Sequence, residues 1–231
     1  MITGFDSRYW NGVYPAGYDY DFVVIKATEA HNFTAQPQMK LQTEGAMRAG
    51  LRRGYYHFYR FWSDAKQQAK WFYDNAPRDA DLPPVIDLED GQAPKGLQNV
   101  NKIKILCEEV EQLFGKRPMI YTAAWWWDPW VFPYLPASGW NYTAHDLWVA
   151  NYTAAAVPWL PRGFDDWQMW QYIGDWAAPG FNAKIDVDRV DEDWYKEVTG
   201  QHVLGPKEGI NKELDCVDIN ITKIRKLMEE I

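Results

Sequence analysis

Short runs rich in β-branched and aromatic residues recur through the first half of the chain at roughly 30-residue intervals, about the length of one strand–helix unit. Phe22–Thr28 (FVVIKAT), Arg53–Arg60 (RGYYHFYR), Pro83–Glu89 (PPVIDLE) and Pro118–Thr122 (PMIYT) read as strands. Ile2–Asp6 reads as a further strand ahead of them. Helical patterns fill the gaps. Pro37 suits the first turn of a helix reaching about Ala49, with Gly50 as its stop. Ser63 is placed to cap a helix that carries Ala69 and Phe72 and halts before Pro77. From about Asn99 to Phe114, residues Val100, Ile103, Leu106, Cys107, Val110, Leu113 and Phe114 fall on one stripe, and Gly115 follows. Such alternation implies parallel strands with helices outside.

After Thr122 the rhythm changes. Trp125–Pro136 is aromatic and broken by Pro, so no regular helix is expected there. Leu147–Tyr152, Gln168–Ile173 and Lys184–Val190 read as three more strands without long helical patterns between them. About eight strands in one α/β domain point to a closed, irregular TIM-like barrel: five β/α units followed by three β-strands. An open doubly wound sheet is the second choice, because no Gly-rich phosphate loop follows the first strand. The barrel is expected over residues 1–199. Residues 200–231 read as a Gly/Pro-marked linker and a short amphipathic helix. Asp218 is its expected cap, and Ile221, Ile224, Leu227, Met228 and Ile231 line one side. That helix is a candidate for self-association.

A barrel of this kind works at the C-terminal ends of its strands. Asp6 ends the first, and Asp87 and Glu89 lie in the fourth, where alternation puts them on one face and Leu88 and Asp90 on the other. Asp186 and Asp188 belong to the eighth, which closes against the first. Acids from distant parts of the sequence thus converge on one mouth. Paired carboxyl groups can separate their titrations and take acid and base roles. His57 reads as a structural strand residue, since no nucleophile elbow accompanies it.

Composition narrows the substrate. The chain has 14 Trp and 14 Tyr in 231 residues. Flat rings with polar edges suit sugars. Tyr56, Tyr121, Trp148, Gln171, Tyr172 and Asp188 are the candidates for lining the groove. A net charge of −8 and a pI near 5.0 argue against nucleic acid. No run of apolar residues is long enough to span a membrane. No zinc-type His/Cys spacing occurs, and two Cys make no disulfide framework. No metal or cofactor is expected. The start, MITGFD, carries no export signal, so a cytoplasmic location is expected.

GFDSRYWNG, FVVIKATEA, GYYHFYR, PPVIDLED, MIYT, LWVANY, WQMWQYI and KIDVDRV together resemble the glycoside hydrolase family 25 lysozymes, the Chalaropsis-type muramidases. The motifs occur in the family's order over roughly residues 1–195. The resemblance implies hydrolysis of the β-1,4 bond between N-acetylmuramic acid and N-acetylglucosamine in peptidoglycan. It implies Glu89 as general acid, Asp87 as its partner, and Asp6 and Asp186 as supporting carboxylates. Asp6-Ser7-Arg8, Ala30 and Asp188 depart from the usual pattern. A lytic enzyme without an export signal fits a phage or prophage endolysin released to the wall by a holin. Two other readings of the same acids are a non-catalytic glycan-binding barrel and a metal-dependent hydrolase using Asp6, Asp87 and Asp186.

Overall fold

In the computed structural model, which describes residues 2–8, 11, 20–178, 181 and 183–200, every anticipated apolar run is a strand. In chain order these are β1 (Ile2–Ser7), β2 (Phe22–Glu29), a two-residue β3 (Phe33–Thr34), β4 (Arg52–Phe58), β5 (Val85–Asp87), β6 (Met119–Thr122), β7 (Leu147–Ala150), β8 (Met169–Trp176) and β9 (Ile185–Val190). Leaving β3 aside, each barrel strand pairs with its neighbour and β1 also pairs with β2, so eight strands close on themselves. Closure removes the unpaired edges that an open sheet would expose. The pairs from β1 through β8 by way of β2, β4, β5, β6 and β7 are parallel. The last strand, β9, runs antiparallel to both β8 and β1.

Helices α1 (Gln38–Arg48), α2 (Ala65–Asn75) and α3 (Leu97–Phe114) cover the outside, as the periodicity predicts. Gly115, at φ 67°, ends α3 in the left-handed region open to glycine. The cap of α2 is Asp64 rather than Ser63. Asp64 accepts the Gln67 N–H at 3.0 Å, while the Ser63 hydroxyl faces His31 at 2.6 Å. Residues 125–136 are more ordered than their three prolines suggest. They hold α4 (Ala124–Trp130), with Pro129 inside it, followed by a 3₁₀ turn and the single-turn α5 (Leu135–Ser138). A short α6 (Glu192–Thr199) follows β9.

Side-chain alternation along the strands makes two apolar layers. Val23, Ile25, Tyr55, Ile86, Ile120, Val149 and Trp170 face outward and pack with Met39, Phe72, Val100, Ile103 and Leu106 of the helices. Ile2, Phe22, Val24, Val85, Met119, Trp148, Met169 and Val190 fill the barrel interior. Cys107 is a buried free thiol of the outer layer. His57 is structural: it meets the Thr28 hydroxyl at 2.8 Å and Gln68 Oε1 at 3.2 Å, and burial holds its pKa down at about 4. The chain divides into Met1–Thr199 and Gly200–Ile231. The linker and amphipathic helix expected beyond Gly200, and Cys216 with them, lie outside the described residues. Among the described residues no helix is long and apolar enough to cross a membrane.

Candidate active site

The antiparallel course of β9 decides where its acids fall. Its N-terminal end lies at the mouth formed by the C-terminal ends of the other strands, and its register sets Asp186 opposite Asp6 on β1. Two residues further along, Asp188 sits opposite Gly4, deeper in the barrel. Asp87 is the last residue of β5. The strand stops there, so Glu89 is not a strand residue; it lies two residues beyond the end and lines the same cleft as Asp87. That cleft, open to solvent, is lined by Asp6, Arg8, Tyr56, Asp87, Glu89, Tyr121, Trp148, Gln171 and Asp186.

The acids of the cleft differ in surroundings. Asp6 is buried and accepts a short bond from Gln171 Nε2. Asp186 is held at both oxygens: Asp175 N–H donates to Oδ1 and Arg8 Nη2 to Oδ2, each at 2.7 Å. Asp87 is buried with Oδ1 lacking any hydrogen-bond partner. Glu89 is half-buried. Burial pushes the carboxyl of Glu89 above its ordinary range, Asp186 adds to this, and the Arg8 guanidinium works against it. Burial also raises Asp87 well above its usual value, with Glu89 the next cause, and raises Asp6, with Asp186 the next cause. A carboxyl raised in this way keeps its proton where a free glutamate has lost it, which a general acid requires.

Gln171 is oriented by two phenols. Tyr121 and Tyr152 both donate to its Oε1, at 2.9 and 2.8 Å, which turns Nε2 toward Asp6. Tyr121 packs edge-on against Trp148, ring centroids 4.7 Å apart. Of the groove candidates, Tyr56, Tyr121, Trp148 and Gln171 line the cleft. Asp188 does not: it is fully buried below it, taking the Trp148 Nε1–H at 2.8 Å. Tyr172 does not either, because the residue after an inward Gln171 faces outward; its ring lies against Trp170 and Arg189. The tryptophans between Trp125 and Trp176 are divided between core and surface. Trp126, Trp127, Trp140 and Trp170 are buried in the outer layer, and Trp125, Trp159 and Trp176 are the exposed ones of that stretch. Arg8 and Tyr152 belong to the site without a signal in residue pattern; only the fold brings them in. Asp90 faces away from the cleft, bonded to Arg60 at 2.9 Å. Among the described residues no three His, Cys, Asp or Glu side chains are arranged to hold a metal ion.

The sequence profile described as Glycosyl hydrolases family 25 matches residues 5–181, most of the barrel. The chain belongs to this family. Solved structures agree. A lysozyme from Streptomyces coelicolor superposes with a TM-score of 0.70 at 25% identity, covering 86% of this chain and 97% of its own. A muramidase from Trichobolus zukalii gives 0.69 at 26%, covering 87% and 100%. An uncharacterized protein of Escherichia coli K12, YegX, is 26% identical over 176 residues, 74% of this chain. The chain spans 60% of the length of that curated relative. The TIM-like barrel with an antiparallel closing strand is therefore the family 25 fold, and its acidic mouth is the candidate active site.

Proposed function

We propose that this family 25 chain is a peptidoglycan hydrolase of the muramidase type, cleaving the β-1,4 bond between N-acetylmuramic acid and N-acetylglucosamine. The observation that carries the reading is a half-buried Glu89 sharing one cleft with buried Asp87 and Asp6 and with an ion-paired Asp186. Glu89, whose burial holds its proton to higher pH than a free glutamate's, donates to the glycosidic oxygen as the bond to the leaving sugar breaks. Asp87 stabilises positive charge developing on the ring or turns the substrate acetamido group toward the anomeric carbon. Asp6 and Asp186 position water or substrate around them. The acetamido group favours an assisted, retaining route. Tyr56, Tyr121 and Trp148 present ring surface to the sugars.

Digestion of purified cell walls followed by mass analysis of the muropeptides tests this. Products ending in reducing N-acetylmuramic acid are expected, and Glu89→Gln should lower kcat by about 10²–10⁴ while keeping the fold. Products ending in N-acetylglucosamine would overturn the bond assignment. Wall binding without any new reducing ends would make the barrel a glycan-binding module, and loss of activity on EDTA treatment would favour the metal-dependent reading.

A further inference from the structure

Arg8 stands just beyond β1, where its guanidinium lines the cleft beside Glu89 and pairs with Asp186 at 2.7 Å. The Arg8 side chain is 41% exposed and that of Asp186 5%, so the pair spans the rim of the cleft, the carboxylate inside and the guanidinium open to water. Asp186 takes the Asp175 N–H on its other oxygen, so Arg8 supplies the second point that fixes the plane of the carboxylate.

The groups around Glu89 come from every side of the mouth. Asp6 and Arg8 approach from β1, Lys26 from β2, Tyr56 and Arg60 from β4 and the turn beyond it, and Asp87 from β5. Tyr121 comes from β6, Tyr152 from the loop after β7, and Asp186 from β9. Three of these are cations. Lys26 is committed to Glu29 at 2.7 Å, and Arg60 to Glu29 at 2.8 Å and to Asp90 at 2.9 Å. Among the described residues Arg8 is the cation that lines the cleft itself.

We propose that Arg8 is a positioning residue of this site: its ion pair with Asp186 fixes that carboxylate, and its guanidinium, in the same cleft as Glu89, sets the upper pH limit at which Glu89 serves as an acid. The inference rests on Glu89 as the general acid. Removing the guanidinium leaves Glu89 facing Asp6, Asp87 and Asp186 with less positive charge nearby. The proton is then held to higher pH, and the basic limb of the kcat/KM profile moves up.

The test is a set of pH profiles on a defined peptidoglycan oligosaccharide for the wild type, Arg8→Lys, Arg8→Gln and Arg8→Met, with ¹³C carboxyl titration of Glu89 alongside. Arg8→Lys keeps the charge and should leave the basic limb in place. The two neutral variants should raise it by roughly half a unit to one unit, the low end for one opposite charge because Arg8 is partly exposed. Met preserves the packing of the stem and serves if Gln fails to fold. Limbs and Glu89 titrations that superimpose on wild type in the neutral variants would overturn the proposal. Glu89→Gln run in parallel separates the two readings. An active Glu89→Gln protein overturns the general acid itself. An inactive one, with unmoved limbs in the neutral Arg8 variants, overturns the role of Arg8 alone.

Discussion

Asp87 is an acid that its surroundings compensate poorly. It is buried, Oδ1 meets no donor, and burial followed by Glu89 raises its carboxyl well above the ordinary range. An acid whose folded pKa is raised binds protons more readily folded than unfolded. Its stabilising effect is then complete below the unfolded value of about 3.9 and is lost as pH rises toward the folded one. Asp87→Asn removes that liability while keeping the shape. The variant should melt above the wild type at pH 7, by a few degrees if the gain is about 1 kcal/mol. The gap should close when both are melted near pH 3.5, and activity should fall sharply. A wild type that melts higher at pH 7 would refute this account. Gln171 offers a second residue-scale test. Its amide accepts from Tyr121 and Tyr152 and donates to Asp6. Gln171→Glu keeps the acceptor for both tyrosines and loses the donor to Asp6. The unmade buried bond should lower kcat/KM about tenfold or more, seen in initial rates, with the phenols still in place.

At the scale of elements, local rules set most boundaries and tertiary geometry set the rest. Helix α3 was legible because a long stripe and a closing glycine agree. The start of α2 was legible only to within one residue, since Ser63 and Asp64 are both good caps. The turn chose Asp64, whose oxygen reaches the Gln67 N–H. Asp64→Ala should therefore cost about 1 kcal/mol in denaturant unfolding. The distinction of α4 from a loop was hidden by Pro129, and its order comes from Trp126 and Trp127 buried against the outer layer. Period-two reasoning correctly separated Asp87 from Asp90 but extended β5 too far. Glu89 lies past the last paired residue of β5, where alternation still gives its face, with Leu88 in the outer layer and Asp90 turned away, but does not give the strand's end. The same limit applies to β8. Its pairing with β9 shifts between Gln171 and Trp176, and within that stretch Asp175 takes φ 55°, offering its N–H to Asp186. Only the backbone of Asp175 is used there, so Asp175→Gly should relieve a left-handed strain and keep activity. Loss of activity in this variant would show that the side chain matters.

For the whole molecule, the count of barrel strands and the closed barrel were legible in the spacing of apolar runs, whereas the two-residue β3 and the direction of β9 were not. A strand reads alike in either sense, and only closure between β8 and β1 settles it. That direction is what lifts Asp186 to the mouth and leaves Asp188 in the interior. The interior in turn depends on Gly4, which the register sets opposite Asp188. A Cβ added at Gly4 would stand 2.6 Å from three ring atoms of Phe22, a fully buried side chain with nowhere to retreat. Glycine here supplies room for a neighbouring ring inside a closed wall. Gly4→Ala must push Phe22 against Val24 and the other inward residues, or spread β1 from β2 and β9. Overpacking of this kind typically costs about 1–3 kcal/mol. Urea unfolding should show a lower midpoint with an unchanged m-value. Because Asp6 lies two residues further along the same strand, any spreading of β1 also disturbs its bond to Gln171, so activity should fall further than the loss of stability explains. Gly91→Ala is the control. A Cβ there meets nothing within 4 Å, and its midpoint should stay at the wild-type value or slightly above it. Equal midpoints for the two variants would mean that the barrel interior yields more easily than a close-packed core allows.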